Sequence, residues 1–283
     1  MKLINQHGIG WALALLILMS VTMVGKASAE TTVEQLRASG ATLGLAEEPP
    51  YASYSSDGRL SGAAADLSVA VLKKLGITKI TPKVVDFGAL VPSLQARRFD
   101  IVSTGLYVTP QRCKAVLFTE PDLCTAESFA VKKGNPLNLH SYKDLLKSGA
   151  RVGVCGGCAE EKRALDLGVP RSQLVVVSDA FNGMQQLKDG RLDAVAWPDA
   201  TLTATLRTMR TGDIEVAGQL QGEKMECSAA VFNIQDKQLR DAYDKTLAGM
   251  KQSGEFDKIV APYGFNPALS KATKRDDLCG RAD

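Results

Sequence analysis

The sequence predicts an α/β protein of two lobes, each a mainly parallel sheet flanked by helices, with a cleft between them. Three observations carry this expectation. Strand-like and helix-like runs alternate from Ala41 onward, and such alternation calls for a mainly parallel sheet covered on both faces. From Phe118 to Gly134 the helical periodicity lapses and the chain turns extended. Residues 227–232 offer a way back, so the alternating sets on either side of the lapse form separate lobes. Lastly, Leu94-Gln-Ala-Arg-Arg98-Phe-Asp100-Ile-Val102 aligns without gaps on Leu187-Lys-Asp-Gly-Arg191-Leu-Asp193-Ala-Val195, a faint internal repeat of the kind two similar lobes would leave.

Residues 1–29 read as a secretory signal peptide. Lys2 precedes an apolar block over 9–24, and Ala27-Ser28-Ala29 forms an A-x-A site with cleavage expected after Ala29. The block is too short for a membrane anchor, and no cysteine lies near the cut, so a soluble periplasmic product is expected. The first lobe takes residues 30–127 and 230–283, with strands over 41–46, 80–87 and 99–104 and helices over 66–75 and 89–98. In the helix at 66–75, Leu67, Val71 and Leu75 share one face. The second lobe, residues 128–229, reads as helix 142–147, strand 151–154, helix 159–167, strand 174–177, helix 182–188 and strand 192–196. A helix over 237–250, striped by Leu239, Tyr243, Leu247 and Met250, then packs on the first lobe.

With a net charge of +3 and scattered Lys and Arg, neither nucleic acid nor a membrane surface is an expected partner. All six cysteines lie beyond the signal peptide, and an even count in an oxidising compartment favours disulfides. The expected pairs are Cys113 with Cys124 and Cys227 with Cys279. Cys155-Gly-Gly-Cys158 could be a redox pair, since a thiol at a helix N-terminus has a lowered pKa, but a lone C-x-x-C reads first as a structural bridge or a coincidental pair. The two histidines, His7 and His140, speak against a zinc site or a His-based triad, and no metal or cofactor is expected.

The site is organised around Ser103-Thr104-Gly105-Leu106-Tyr107-Val108-Thr109-Pro110-Gln111-Arg112. Thr109 suits a helix N-cap and Pro110 the first helical position, which puts Arg112 in the first turn. A cation there opposes the helix dipole, and an anionic ligand would favour it; the guanidinium fork matches a carboxylate bidentately. In open α/β sheets ligands bind beyond the carboxyl ends of strands. Those ends read Glu47-Glu48-Pro49-Pro50-Tyr51, Asp86-Phe87-Gly88 and Thr104-Gly105-Leu106-Tyr107 in the first lobe, and Gly156-Gly157-Cys158 and Trp197-Pro198-Asp199 in the second. Tyr51, Phe87 and Tyr107 therefore reach one rim from three strands and can cage a delocalised cation. Glu48, or its neighbour Glu47, would accept the cation's N–H groups. Backbone amides at Gly157 and Cys158 would complete the carboxylate site, while Glu160-Glu161-Lys162-Arg163 reads as a solvated helix face.

The part after the signal peptide resembles the periplasmic amino-acid-binding proteins of bacterial family 3. The resemblance rests on Thr109-Pro110-Gln111-Arg112, Phe118-Thr119-Glu120-Pro121, and the closing Gly254-Glu255-Phe256-Asp257-Lys258-Ile259 and Tyr263-Gly264-Phe265. It implies a type II periplasmic binding fold and a monomeric, non-catalytic receptor that hands a small zwitterionic ligand to an ABC permease at the inner membrane. Within the family the chain is most similar to the ectoine/hydroxyectoine binders. That implies Tyr51, Phe87 and Tyr107 around a cyclic amidinium, Arg112 on its carboxylate and Glu48 at its ring nitrogens. Thr104, Gly105, Gly157, Cys158 and Trp197 would line the rest. General amino-acid binders carry Ser or Thr in place of Tyr107, and an Asp where Pro198 stands. A ligand without a primary ammonium suits both departures, although Asp199, shifted by one residue, keeps ordinary amino acids, opines and betaines open. A dehydratase on this scaffold would have Glu48 as its general acid.

Overall fold

The computed structural model describes residues 30–55 and 57–280; the expected signal peptide and its cleavage site lie outside them. In chain order the strands begin with β1 (Ala41–Leu45), the short pair β2 (Ser53–Tyr54) and β3 (Leu60–Ser61), β4 (Ile80–Val84) and β5 (Ile101–Val102). Then come β6 (Val116–Phe118), β7 (Leu123–Thr125), β8 (Glu127–Lys132), β9 (Val152–Cys155) and β10 (Leu174–Val177). The last are β11 (Ala194–Pro198), β12 (Ile214–Gln219), β13 (Glu226–Ser228) and β14 (Val231–Asn233).

Two five-stranded sheets result, ordered β4-β1-β5-β14-β6 and β10-β9-β11-β8-β12. In the first sheet β14 alone runs against its neighbours, and in the second β8 alone does. Each odd strand is the one delivered by the passage from the other sheet. The two sheets thus repeat one topology, and the crossing strands β7 and β13 pair antiparallel between them.

The internal repeat has a physical basis. Asp100 accepts the Thr42 amide at 2.8 Å, and Asp193 accepts the Arg151 amide at 2.8 Å, so the aspartates tie the start of β5 to β1 and that of β11 to β9. A Cβ on Gly44 would lie 2.5 Å from the Phe99 ring, and one on Gly153 2.8 Å from Leu192, which are again matching positions. Arg97 (φ 53) and Gly190 (φ 75) match as well, both in the left-handed region. Arginine bears that conformation while its guanidinium is held by the buried Asp236.

Neighbouring strand residues feed apolar clusters on opposite faces. Ile101 and Phe232 join one cluster of the first sheet, Val102 and Val231 the other. In the second sheet Val152 and Ala194 separate likewise from Val195 and Trp197. Several ends differ from expectation. The strand expected over 80–87 stops at Val84, because Phe87–Ala89 turns into a 3-10 helix that presents Phe87 at the cleft. The helix expected from 182 starts at Ala180, capped by Asp179, whose carboxylate accepts the Asn182 amide.

The expected pairings of Cys113 with Cys124 and of Cys227 with Cys279 are wrong. Cys124 bonds Cys227, and Cys113 bonds Cys279. The reason lies in register: Cys124 and Cys227 face each other directly across β7 and β13, with Cα atoms 4.0 Å apart. Cys279, in the helix Arg275–Cys279, then reaches Cys113 at a Cα separation of 5.8 Å. Cys155 and Cys158 bond each other.

Candidate functional site

Arg112 stands where the helix start predicts. The short helix Pro110–Cys113 is capped by Thr109, whose hydroxyl accepts the Arg112 amide, with Pro110 in its first turn. The guanidinium donates from Nη1 to the Tyr107 carbonyl at 3.1 Å and from Nη2 to the Gly157 carbonyl at 3.2 Å. The second bond crosses from one lobe to the other, and the Gly156–Gly157 backbone packs there against Gly88. Arg112 also lies over the Phe87 ring, 5.7 Å from its centroid. Five N–H donors minus these two leave three for an acid group.

Glu48 and Tyr51 sit on the turn after β1. Glu48 is buried, and its Oε2 accepts the Thr104 hydroxyl at 3.3 Å. Burial raises its carboxyl to about 7, against the lowering pull of Thr104, the Gly105 amide and Arg112. Tyr51 packs its ring against Phe265, 4.9 Å between centroids. Tyr107 bridges to Ser228. The two phenols act on each other's ionisation, and burial pushes both well above the ordinary tyrosine value. Both hydroxyls are buried, and among the described residues neither has a partner at full hydrogen-bonding geometry, although Tyr107 lies near enough to favour ionisation of Tyr51. An unpaired buried hydroxyl carries a desolvation penalty of about 1–3 kcal/mol, which a polar ligand group would relieve. Glu47, the alternative to Glu48, turns outward to the Ser53 hydroxyl and the Tyr54 amide.

Gly105 decides how close this cluster is. A Cβ there would lie 2.8 Å from Glu48 Oε2 and 3.2 Å from the Tyr51 ring. Gly105→Ala is therefore expected to leave the fold intact and weaken ligand binding about tenfold or more, the cost of crowding a packed site. Calorimetric titration beside a circular-dichroism melt checks both halves.

The second lobe departs from expectation in three ways. The Gly157 amide donates to Glu161 and the Cys158 amide to the Cys155 carbonyl, so the loop consumes these donors, and the Gly157 carbonyl is what meets Arg112. Trp197 lies in the apolar cluster that also holds Cys155 and Cys158, and Phe87 packs against that cluster from the first lobe. The run at 160–163 is no solvated face: Glu160 is buried, and Arg163 pairs with Glu223, Glu226 and, at 3.9 Å, the buried Glu127. Sequence reasoning missed Glu127, Glu160 and Arg163. One signal was present, because Glu160 is four residues before the buried Ala164 on one helix face.

Phe87, Val91, Leu106, Arg112, Gly157 and Ala159 help line an inter-lobe groove of about 770 Å³. Glu48, Tyr51, Thr104, Gly105 and Tyr107 do not line it and are buried or nearly so. The arrangement sets a guanidinium at the groove beside buried phenols and a buried acid, which suits recognition of a small molecule with an acid group and a cation.

Residues 42–266 match the bacterial extracellular solute-binding proteins, family 3. The chain belongs to this family. It is 31% identical over 265 residues to the probable amino-acid ABC transporter periplasmic-binding protein y4tE of Sinorhizobium fredii, across 90% of this chain and 86% of that protein. To the putative ABC transporter arginine-binding protein 2 of Escherichia coli (strain K12) it is 30% identical over 191 residues, across 68% and 74% of the two chains. Among solved structures it superimposes on EhuB in complex with hydroxyectoine with a TM-score of 0.86 and 41% identity, over 89% of this chain and 98% of that one. The protein is a solute-binding protein of the ABC-importer type with the type II binding fold, and these relatives are solute-binding proteins rather than enzymes. Family 3 proteins are extracellular or periplasmic, and among the described residues no helix is long and apolar enough to cross a membrane.

Proposed function

We propose that this family 3 protein captures ectoine or 5-hydroxyectoine in the periplasm, as a non-catalytic monomer, and delivers it to the permease of an ABC importer. Arg112 grips the carboxylate, Tyr51, Phe87 and Tyr107 enclose the amidinium, and Glu48 accepts its N–H groups. Thr104 and Gly105 seat Glu48, while Gly157, Cys158 and Trp197 form the facing wall. The lobes, residues 30–127 with 230–283 and residues 128–229, turn about the paired strands β7 and β13. The observation that carries the reading is the convergence of two buried phenols and a buried acid beside Arg112. The likeness to EhuB, whose crystal structure holds hydroxyectoine, supports the same ligand class.

The test is calorimetric titration with ectoine, 5-hydroxyectoine, glycine betaine and the common amino acids. Heat with the first two and none with the rest is the expected result, and clear binding of an amino acid alone sinks the assignment. Tyr107→Ser is expected to weaken ectoine binding roughly 30-fold, since a desolvated cation–π contact is worth about 2 kcal/mol. Ligand recovered unchanged after incubation with the protein is expected, and a converted product would point to an enzyme instead.

A second reading, a cationic amino acid such as arginine, is favoured by one specific observation, the presence of two buried acids, Glu48 and Glu160. The arginine-binding relative is in keeping with it.

A further inference from the structure

Glu160 is 4% exposed, and its Oε1 has no hydrogen-bond partner among the described residues. It projects from the first turn of the helix Ala159–Asp166, just after the loop whose Gly157 carbonyl meets Arg112. Its own backbone amide favours the charged form, and the charges acting on it come from both lobes. Glu127 of β8 is the strongest, followed by Glu48 and Arg112 of the first lobe. The phenols of Tyr51, Tyr107 and Tyr142 act on it as well. The neighbouring Arg163 is occupied by Glu223 and Glu226 and offers Glu127 only a 3.9 Å contact.

Charge counting around Glu160 then bears on the state of this acid. On the reading proposed above, on which this inference rests, the ligand's carboxylate matches Arg112 and its cation matches Glu48. An ionised Glu160 would stand beside Glu127 with no counter-charge in a water-poor space, an arrangement that folded proteins avoid by keeping the proton. Burial, and after it Glu127, pushes its carboxyl well above the ordinary value. A protonated carboxyl offers one O–H donor and a carbonyl acceptor, and Oε1 still wants a partner.

We propose that Glu160 is part of the ligand site as a neutral carboxylic acid, giving a donor–acceptor pair to an uncharged polar or N–H group of the ligand and selecting against ligands that bring a second cation. Glu48 and Glu160 thus divide the work: one acid ionised against the ligand's cation, the other neutral.

Glutamine copies the neutral acid's shape and its donor–acceptor pair, whereas alanine removes both. Titrations of the wild-type protein, E160Q and E160A with ectoine, 5-hydroxyectoine and arginine are expected to show about a tenfold loss of ectoine affinity in E160A, the value of one lost hydrogen bond, and its rescue in E160Q. Infrared difference spectra at pH 7 are expected to show a protonated-carboxyl band in the wild type that E160Q lacks. Loss in E160Q as deep as in E160A would mean that the acid works ionised and would overturn the proposal. Wild-type affinity in both variants would overturn it too, by placing Glu160 outside the contact. A wild-type protein that binds arginine and neither ectoine sinks the zwitterion reading separately, and absence of the infrared band overturns the neutral acid whatever the ligand.

Discussion

Arg112→Ala is expected to abolish ligand capture at ordinary concentrations while leaving the ligand-free fold nearly as stable as the wild type. Truncating one partner of a buried, hydrogen-bonded charge pair costs about 2–5 kcal/mol, which is roughly 30- to 4,000-fold in Kd. The ligand's carboxylate would be left desolvated with no counter-charge, and the bond to the Gly157 carbonyl that joins the lobes would vanish as well. Arg112→Lys is expected to recover little of this. A lysine presents a compact point charge, while three of the guanidinium's planar donors remain for the acid group after the Tyr107 and Gly157 carbonyls take their two. The ligand-free melting temperature has less reason to move, because Arg112 is only partly buried and one of its two partners, Gly157, is an exposed residue. Calorimetry with ectoine, beside melts with and without it, separates the two effects. Binding within threefold of wild type in R112A would remove the arginine from the site altogether.

What the sequence let one read follows from which interactions are local. The cap at Thr109, the proline after it and the alternation of strands and helices are written in neighbouring residues, and each appears in place. The repeat was visible as matching letters, but its cause was not. The aspartate bonds to Thr42 and Arg151 and the Gly44 and Gly153 contacts with Phe99 and Leu192 join residues 39 to 58 positions apart. Disulfide pairing failed for the same reason. Cys113 and Cys124 are close in the chain, yet strand register carries Cys124 to Cys227. Charged residues were read as exposed because most are. Glu127, Glu160 and Arg163 break that habit, since the two acids are buried and the arginine beside them is half-buried.

The pH dependence of the wild type and of Glu48→Gln should differ in a defined direction, both in stability and in binding. In the folded protein the Glu48 carboxyl titrates near 7 rather than 4.5, because burial disfavours its charged form. The folded state therefore holds this proton more tightly than the unfolded state does. Below about pH 4.5 both states are protonated and there is no penalty; stability is lost as pH rises from about 4.5 to about 7 and is level above. Moving a carboxyl by that much is worth roughly 3 kcal/mol, at about 1.4 kcal/mol per pH unit. Asp122, raised to about 6, and Glu127, raised to about 7, are buried acids with the same sign, so the difference between wild type and E48Q isolates Glu48. A cationic ligand reverses the balance, since it favours the ionised carboxylate. Affinity should therefore rise as pH rises toward 7, with about one proton released on binding at pH 6, and E48Q should bind weakly with a flatter pH profile. Titrations in two buffers of different ionisation heat count that proton. Equal heats in both buffers, with the same pH profile in E48Q as in wild type, would mean that the ligand's cation rests on some other group.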